Sequence, residues 1–222
     1  MNIDYKNRKI QCKIVYYGPA GSGKTTNLEM IAGPSEKRKI RVVKNGQSFF
    51  EMVTIKAGQI KNIDVVFNLF AVPGQDFYGS DIHADVRKMI LKAADGIIFV
   101  ADSQRLKLDE NIFAMSELEN FLSDHKIDVR KIPMVIQYNK RDAITALPTA
   151  KMDAEVNRLS LPTKEAIATN GEGVFKTLKV CTEIVLQATK QAFEEKKEKV
   201  ESKQQQPEHR EKPKASRLDK FG

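Results

Sequence analysis

The sequence has no tryptophan and only two cysteines, Cys12 and Cys181, each inside an apolar run. Cysteines placed this way make neither a disulfide framework nor a CxxC metal site. The apolar runs are too short to span a bilayer, which excludes an integral membrane protein. The first ten residues, MNIDYKNRKI, lack an apolar signal core, and position 2 is Asn2 where myristoylation needs glycine. The final LDKFG has no cysteine for prenylation. A cytoplasmic protein is therefore expected. The formal charge is +8, but no basic stretch is interleaved with aromatics, and the 37 basic residues are dispersed among 29 acidic ones. That pattern speaks against nucleic acid as a partner.

From Glu194 to Gly222 there are nine basic and seven acidic residues, a net of +2, which leaves +6 for residues 1–193. This segment also contains QQQ, Pro207 and Pro213 and few large apolar side chains. It cannot bury enough surface to offset its ordering entropy. The expected division is one domain over residues 1–193, then a charged helix extension and a disordered tail over 194–222.

Within residues 1–193, strand and helix signals alternate. KIVYY (13–17), EMVTI (51–55), IDVVFNLFAV (63–72), GIIFVA (96–101), PMVIQY (133–138) and EAIA (165–168) read as strands. Residues 25–32, 109–123 and 151–160, and the stretch from Gly173, read as helices. In the last of these Val174, Leu178, Cys181, Val185 and Ala188 form one apolar stripe. The second and third strands are close enough for an antiparallel hairpin. The order predicts an α/β fold: a mostly parallel six-stranded sheet with one antiparallel edge hairpin strand and helices on both faces.

The most specific chemistry lies between the first strand and the first helix. Gly18, Pro19, Ala20, Gly21, Ser22, Gly23, Lys24 and Thr25 match G-x-x-x-x-G-K-[ST], and Thr26 continues into the helix. The glycines let successive backbone N–H groups face one anion, and the helix adds the positive end of its dipole. In such a loop the lysine reaches the β- and γ-phosphates and the hydroxyl of Thr25 meets Mg²⁺. After the strand PMVIQY comes Asn139-Lys140-Arg141-Asp142, an N-K-x-D pattern. The Asp142 carboxylate can accept from N1–H and the 2-amino group of guanine, a donor pair that adenine lacks. The Lys140 stem can cover the purine face, and the Asn139 amide can tie this loop to the phosphate loop. Ala168, after EAIA, is in order to offer a backbone N–H to the guanine O6.

Together these elements resemble the Ras-like small GTPases. Several longer stretches are similar to the bacterial MglA branch of gliding motility and cell polarity: CKIVYYGP…GKTTNL, VPGQ-FY, ILK-ADGIIFVADSQ, VIQYNKRD and GVFKTLK. The resemblance covers about residues 8–190. It implies a P-loop G domain, GTP or GDP with Mg²⁺ as ligands, and a nucleotide-controlled switch that marks a cell pole or motility complex. It also implies a roadblock-type activator and polarity or motility effectors, met through residues around 38–50 and 73–88. Gln75 matches the residue that positions the attacking water, and Gly74 the glycine whose N–H senses the γ-phosphate.

The sequence departs from the small-GTPase pattern in several places. Ala71 stands where D-x-x-G has aspartate, a position at which MglA proteins usually carry threonine. Ala20 replaces the third-position glycine of the phosphate loop. Switch I looks short, so that the family's arginine and Mg²⁺-binding threonine fall on Gly46 and Gln47. Arg38 or Arg41 can supply the charge and Ser48 a hydroxyl, although none is in register; Arg41 is the catalytic candidate. An arginine finger is worth about 10³–10⁵ in rate. These departures lead us to expect GTP binding with slow hydrolysis. The alternative is a pseudo-GTPase scaffold that holds GTP constitutively. Asp102, at the end of FVAD, is read as a loop cap or as a water-mediated Mg²⁺ contact.

Overall fold

The computed structural model describes residues 2–4, 6–33, 50–60, 62–74 and 84–204. Its strands and helices follow in the order β1 (Asn2–Asp4), β2 (Lys9–Tyr17), α1 (Lys24–Ala32), β3 (Glu51–Ile60), β4 (Ile63–Ala71), α2 (Ala84–Leu91), β5 (Gly96–Asp102), α3 (Leu108–Asp124), β6 (Met134–Asn139), α4 (Thr149–Val156), β7 (Thr163–Glu165) and α5 (Val174–Gln204). The chain divides into two units, Met1–Ala188 and Thr189–Gly222. The first unit holds the sheet.

Six strands lie in the order β3-β4-β2-β5-β6-β7. β2 pairs in parallel with β4 and β5, β5 with β6, and β6 with β7, while β3 runs antiparallel to β4 at the edge. This is the expected mostly parallel sheet with its antiparallel hairpin strand. The three residues of β1 are too few to leave a sequence pattern. They pair antiparallel with Lys9–Gln11 of β2, below the point where β5 joins β2 at Ile14.

Two expected elements have different bounds. The last strand is Thr163–Glu165 rather than 165–168, because beyond Ala166 the N–H groups turn to other acceptors. That of Ile167 donates to Glu172 O, and that of Ala168 to the Asn139 side chain. The helix expected over 151–160 is Thr149–Val156. It stops at Asn157, whose side chain accepts from Leu161 N at 2.7 Å and donates to Leu161 O at 2.9 Å, closing a loop.

All seven residues of β5 are buried, as a central strand covered on both faces requires. Its alternate side chains enter two cores. Ile97, Phe99 and Ala101 join Val15, Tyr17 and residues of α2, α3 and α4. Ile98 and Val100 join Ile14, Tyr16, Leu28 of α1, and Leu178, Cys181 and Val185 of α5. The two cores fix the sheet from both sides and leave the carboxyl ends of β2, β5 and β6 open to loops, where ligands collect in such sheets.

Candidate nucleotide site

The turn from β2 to α1 spans Gly18–Gly23. Gly23 has φ 103°, and a side chain there would run into the Asn139 amide. Only glycine allows both the left-handed backbone and this approach. Lys24, at the start of α1, is 6% exposed, and its Nζ donates to Gly18 O at 2.9 Å and Pro19 O at 2.7 Å. Burial, and after it the positive charge of Arg87, pull the Lys24 ammonium down to about 7, against the opposing influence of Glu51. An arriving polyanion would restore the charged form. In the same turn Ser22 Oγ is buried without a hydrogen-bond partner among the described residues. An orphaned donor beside a buried lysine fits a phosphate, and Thr25 adds a hydroxyl oxygen of the kind Mg²⁺ takes. These groups border a cavity of about 450 Å³, with Phe50 and Glu51 from β3 and its approach and Ala71–Gly74, from the end of β4 onward, on its other side.

A second cavity of about 360 Å³ is bordered by Gln104, Asn139, Lys140, Asp142, Ala143, Ala168 and Thr169. It shares Gly21, Gly23 and Thr26 with the first. Asn139 joins the two. Its Nδ2 donates to Ser22 O at 2.8 Å and its Oδ1 accepts from Ala168 N at 2.9 Å. The Ala168 N–H, expected to meet the guanine O6, is thus engaged by Asn139, while Ala168 still lines the cavity. Lys140 has φ 62°, a strained conformation for a residue with a side chain. Arg141 pins the turn through Glu165 at 2.8 Å and Leu147 O at 2.6 Å. Asp142 is exposed and lines the cavity mouth.

Asp102 acts as a cap. Its carboxylate accepts from the Gln104 backbone N–H at 3.0 Å and pairs with Lys140 Nζ at 2.7 Å. Both partners border the base-sized cavity.

A buried amide network behind the phosphate loop was not read from the sequence. Asn27 of α1 and Gln137 of β6 exchange two hydrogen bonds, at 2.8 and 2.9 Å. Asn27 also donates to Gly23 O, and Gln137 to Thr177 Oγ1 of α5. The available signal was one glutamine inside an otherwise apolar strand, PMVIQY.

Gln75, Arg41 and Ser48 lie outside the described residues, as do Gly46 and Gln47. Phe50 is described, and its ring packs 5.6 Å from that of Phe70.

Residues 2–191 match the ADP-ribosylation factor family. The chain is also 40% identical over 190 residues to the mutual gliding-motility protein MglA of Myxococcus xanthus (strain DK1622). That alignment covers 83% of this chain and 95% of the relative. With the sheet order, the phosphate turn and the base-sized cavity in place, the chain belongs to the ADP-ribosylation factor family, as a Ras-like small GTPase of the MglA type and hence a GTP-binding switch.

Proposed function

We propose that the protein binds GTP and GDP with Mg²⁺, hydrolyses GTP slowly, and signals through residues around 38–50 and 73–88 to a roadblock-type activator and to motility or polarity effectors. The motility effectors come by likeness to a relative whose name ties it to gliding motility, and the activator and polarity partners from the family resemblance of the sequence. No helix among the described residues is long and apolar enough to cross a membrane. We place the protein's action in the cytoplasm, with recruitment to a cell pole.

In this reading the phosphate turn holds the β- and γ-phosphates through backbone N–H groups and Lys24. Asn139, Lys140 and Asp142 hold the guanine, and Thr25 and Ser48 are the hydroxyls offered to the metal. The metal held there would supply charge neutralisation to the phosphates. Hydrolysis needs a water aligned behind the γ-phosphorus, the role assigned to Gln75, and a positive charge on the transferring group, for which Arg41 is the candidate. The observation that carries slow hydrolysis is the contact between Gly74 and Ala20. A Cβ on Gly74 would lie 2.6 Å from Ala20 N and 3.0 Å from Lys24 Nζ. The residue before Gln75 thus lies on the one phosphate-loop position that carries an extra methyl group. That contact is with the Ala20 backbone; our reading is that the methyl group it carries narrows the space in which a glutamine and an arginine must meet the γ-phosphate. Without an arginine finger the rate falls by about 10³–10⁵, or roughly 4–7 kcal/mol of barrier.

Single-turnover GTP hydrolysis, with and without a candidate activator, tests the reading. Slow turnover, faster in Ala20→Gly, is expected. Robust intrinsic turnover that disappears in Gln75→Ala would refute slow hydrolysis. Release of intact GTP from denatured purified protein would favour the constitutive scaffold.

A further inference from the structure

Ala71 leaves the phosphate cavity without the carboxylate that D-x-x-G proteins place there. The strand register offers another. In the antiparallel pairing of β3 and β4, Glu51 lies directly opposite Ala71. Residues opposed in this way project from the same face of the sheet, with Cβ atoms about 4.5–5.5 Å apart. The face is that of α1: Ala71 and Val53, two residues on from Glu51, pack in one core with Leu28. Glu51, Ala71, Lys24 and Thr25 all border the same cavity. β3 lies one strand farther from β2 than β4 does, about 4.8 Å. Glutamate, one methylene longer than aspartate, recovers part of that distance, and Glu51 does line the cavity.

The state of the carboxylate points the same way. Glu51 Oε2 is buried and has no hydrogen-bond partner among the described residues. Its charge favours the Lys24 ammonium, yet Lys24 donates to Gly18 O and Pro19 O. A buried acceptor left unpaired is costly, and native proteins keep few without a use. Among the described residues no group of three or more His, Cys, Asp or Glu could hold a metal by itself. A cation in this cavity would depend on nucleotide phosphates, a hydroxyl and a single carboxylate. That is the donor set of Mg²⁺, which keeps several waters and takes one or two carboxylates beside phosphate oxygens.

We propose that Glu51 replaces the missing aspartate and holds Mg²⁺ through a water molecule beside Thr25. The inference rests on the nucleotide reading above. It assigns to the first residue of β3 a metal-positioning role that the sequence pattern places on the last residue of β4.

The test is Mn²⁺ binding to the GDP-loaded protein, followed by electron paramagnetic resonance, together with GDP release measured in Mg²⁺ and in EDTA. Loss of an outer-shell partner costs about 10–100-fold in metal affinity. Glu51→Gln is expected to weaken Mn²⁺ by that factor and to speed GDP release in Mg²⁺ while leaving release in EDTA unchanged. Adding Ala71→Asp to Glu51→Gln should restore Mn²⁺ affinity. Should Glu51→Gln not fold, Glu51→Ala is measured in the same way. Unchanged Mn²⁺ affinity would overturn the proposal. So would equal acceleration of release in Mg²⁺ and EDTA, which would make Glu51 a partner of Lys24 instead. GDP binding that ignores Mg²⁺ in the wild-type protein overturns this proposal alone, whereas no GDP binding at all overturns the nucleotide reading with it.

Discussion

Gln137→Leu is the sharpest probe of how the phosphate turn is supported. Gln137 is fully buried and makes three hydrogen bonds, two with Asn27 and one with Thr177. After the substitution Thr177 Oγ1 still donates to Gly173 O at 2.8 Å, and Asn27 Nδ2 still donates to Gly23 O at 2.9 Å. Asn27 Oδ1 loses the donor Gln137 gave it. A stranded buried acceptor costs about 1–3 kcal/mol, and each exchanged bond about 0.5–1.5 kcal/mol. Leucine regains part of this through its apolar area, so the net loss should be about 2–4 kcal/mol. For a chain of this size that lowers Tm by about 5–15 °C. Asn27→Leu combined with Gln137→Leu removes both partners and should cost less than the two single changes together, with a coupling of about 1–3 kcal/mol. Urea unfolding followed by far-ultraviolet circular dichroism measures all four proteins, which is convenient in a chain without tryptophan. An m-value unchanged across the set would show that the effect lies in the folded state. A Gln137→Leu protein within about 0.5 kcal/mol of wild type, or strict additivity in the double variant, would refute this account of the network.

Two further outcomes follow from ionisable groups. The folded pKa of Lys24, about 7, lies below its ordinary value, so between pH 7 and about 10 the unfolded chain binds the extra proton. Nucleotide-free protein should therefore gain stability as pH rises through that window and show no such gain below it. GDP should flatten the slope, and so should Lys24→Met; melting curves at a series of pH values, with the slope persisting in Lys24→Met, would contradict the assignment. Tyr16 is fully buried, its phenol is pushed well above the usual range by burial, and its hydroxyl has no hydrogen-bond partner among the described residues. Tyr16→Phe should hold or raise stability, by up to about 1 kcal/mol; a clear loss in the same urea assay would show that the hydroxyl is satisfied.

What could be read from the sequence and what could not divide by distance along the chain. The phosphate turn and the N-K-x-D loop stood out because each is a short contiguous run whose pattern does not depend on the pairing of distant residues. The strands β2, β4, β5 and β6 were legible because burial on both faces leaves continuous apolar runs. β1 was missed because three residues carry no periodicity. The end of β7 was misplaced because the acceptor that draws Ala168 out of the ladder is the side chain of Asn139, 29 positions earlier. Glu51 was read as a strand residue and nothing more, because its relation to Ala71 exists only through the pairing register. Asp102 had two readings, and its pairing with Lys140, a long-range contact, decides for the cap.

The double hydrogen bonding of Asn139 has a kinetic consequence. By clamping the turn at Ser22 to the loop at Ala168, it fixes the spacing between two half-sites before any ligand arrives. The entropy of arranging them is then met during folding rather than at association. A nucleotide becomes a bivalent ligand on a rigid frame. Once one end is seated, the other meets its half-site at a high effective concentration. Guanosine and pyrophosphate offered separately would each hold poorly, and the intact nucleotide would leave only when both ends let go together. Long residence is then set by the frame, and any factor that resets the switch would do so most directly by loosening the clamp.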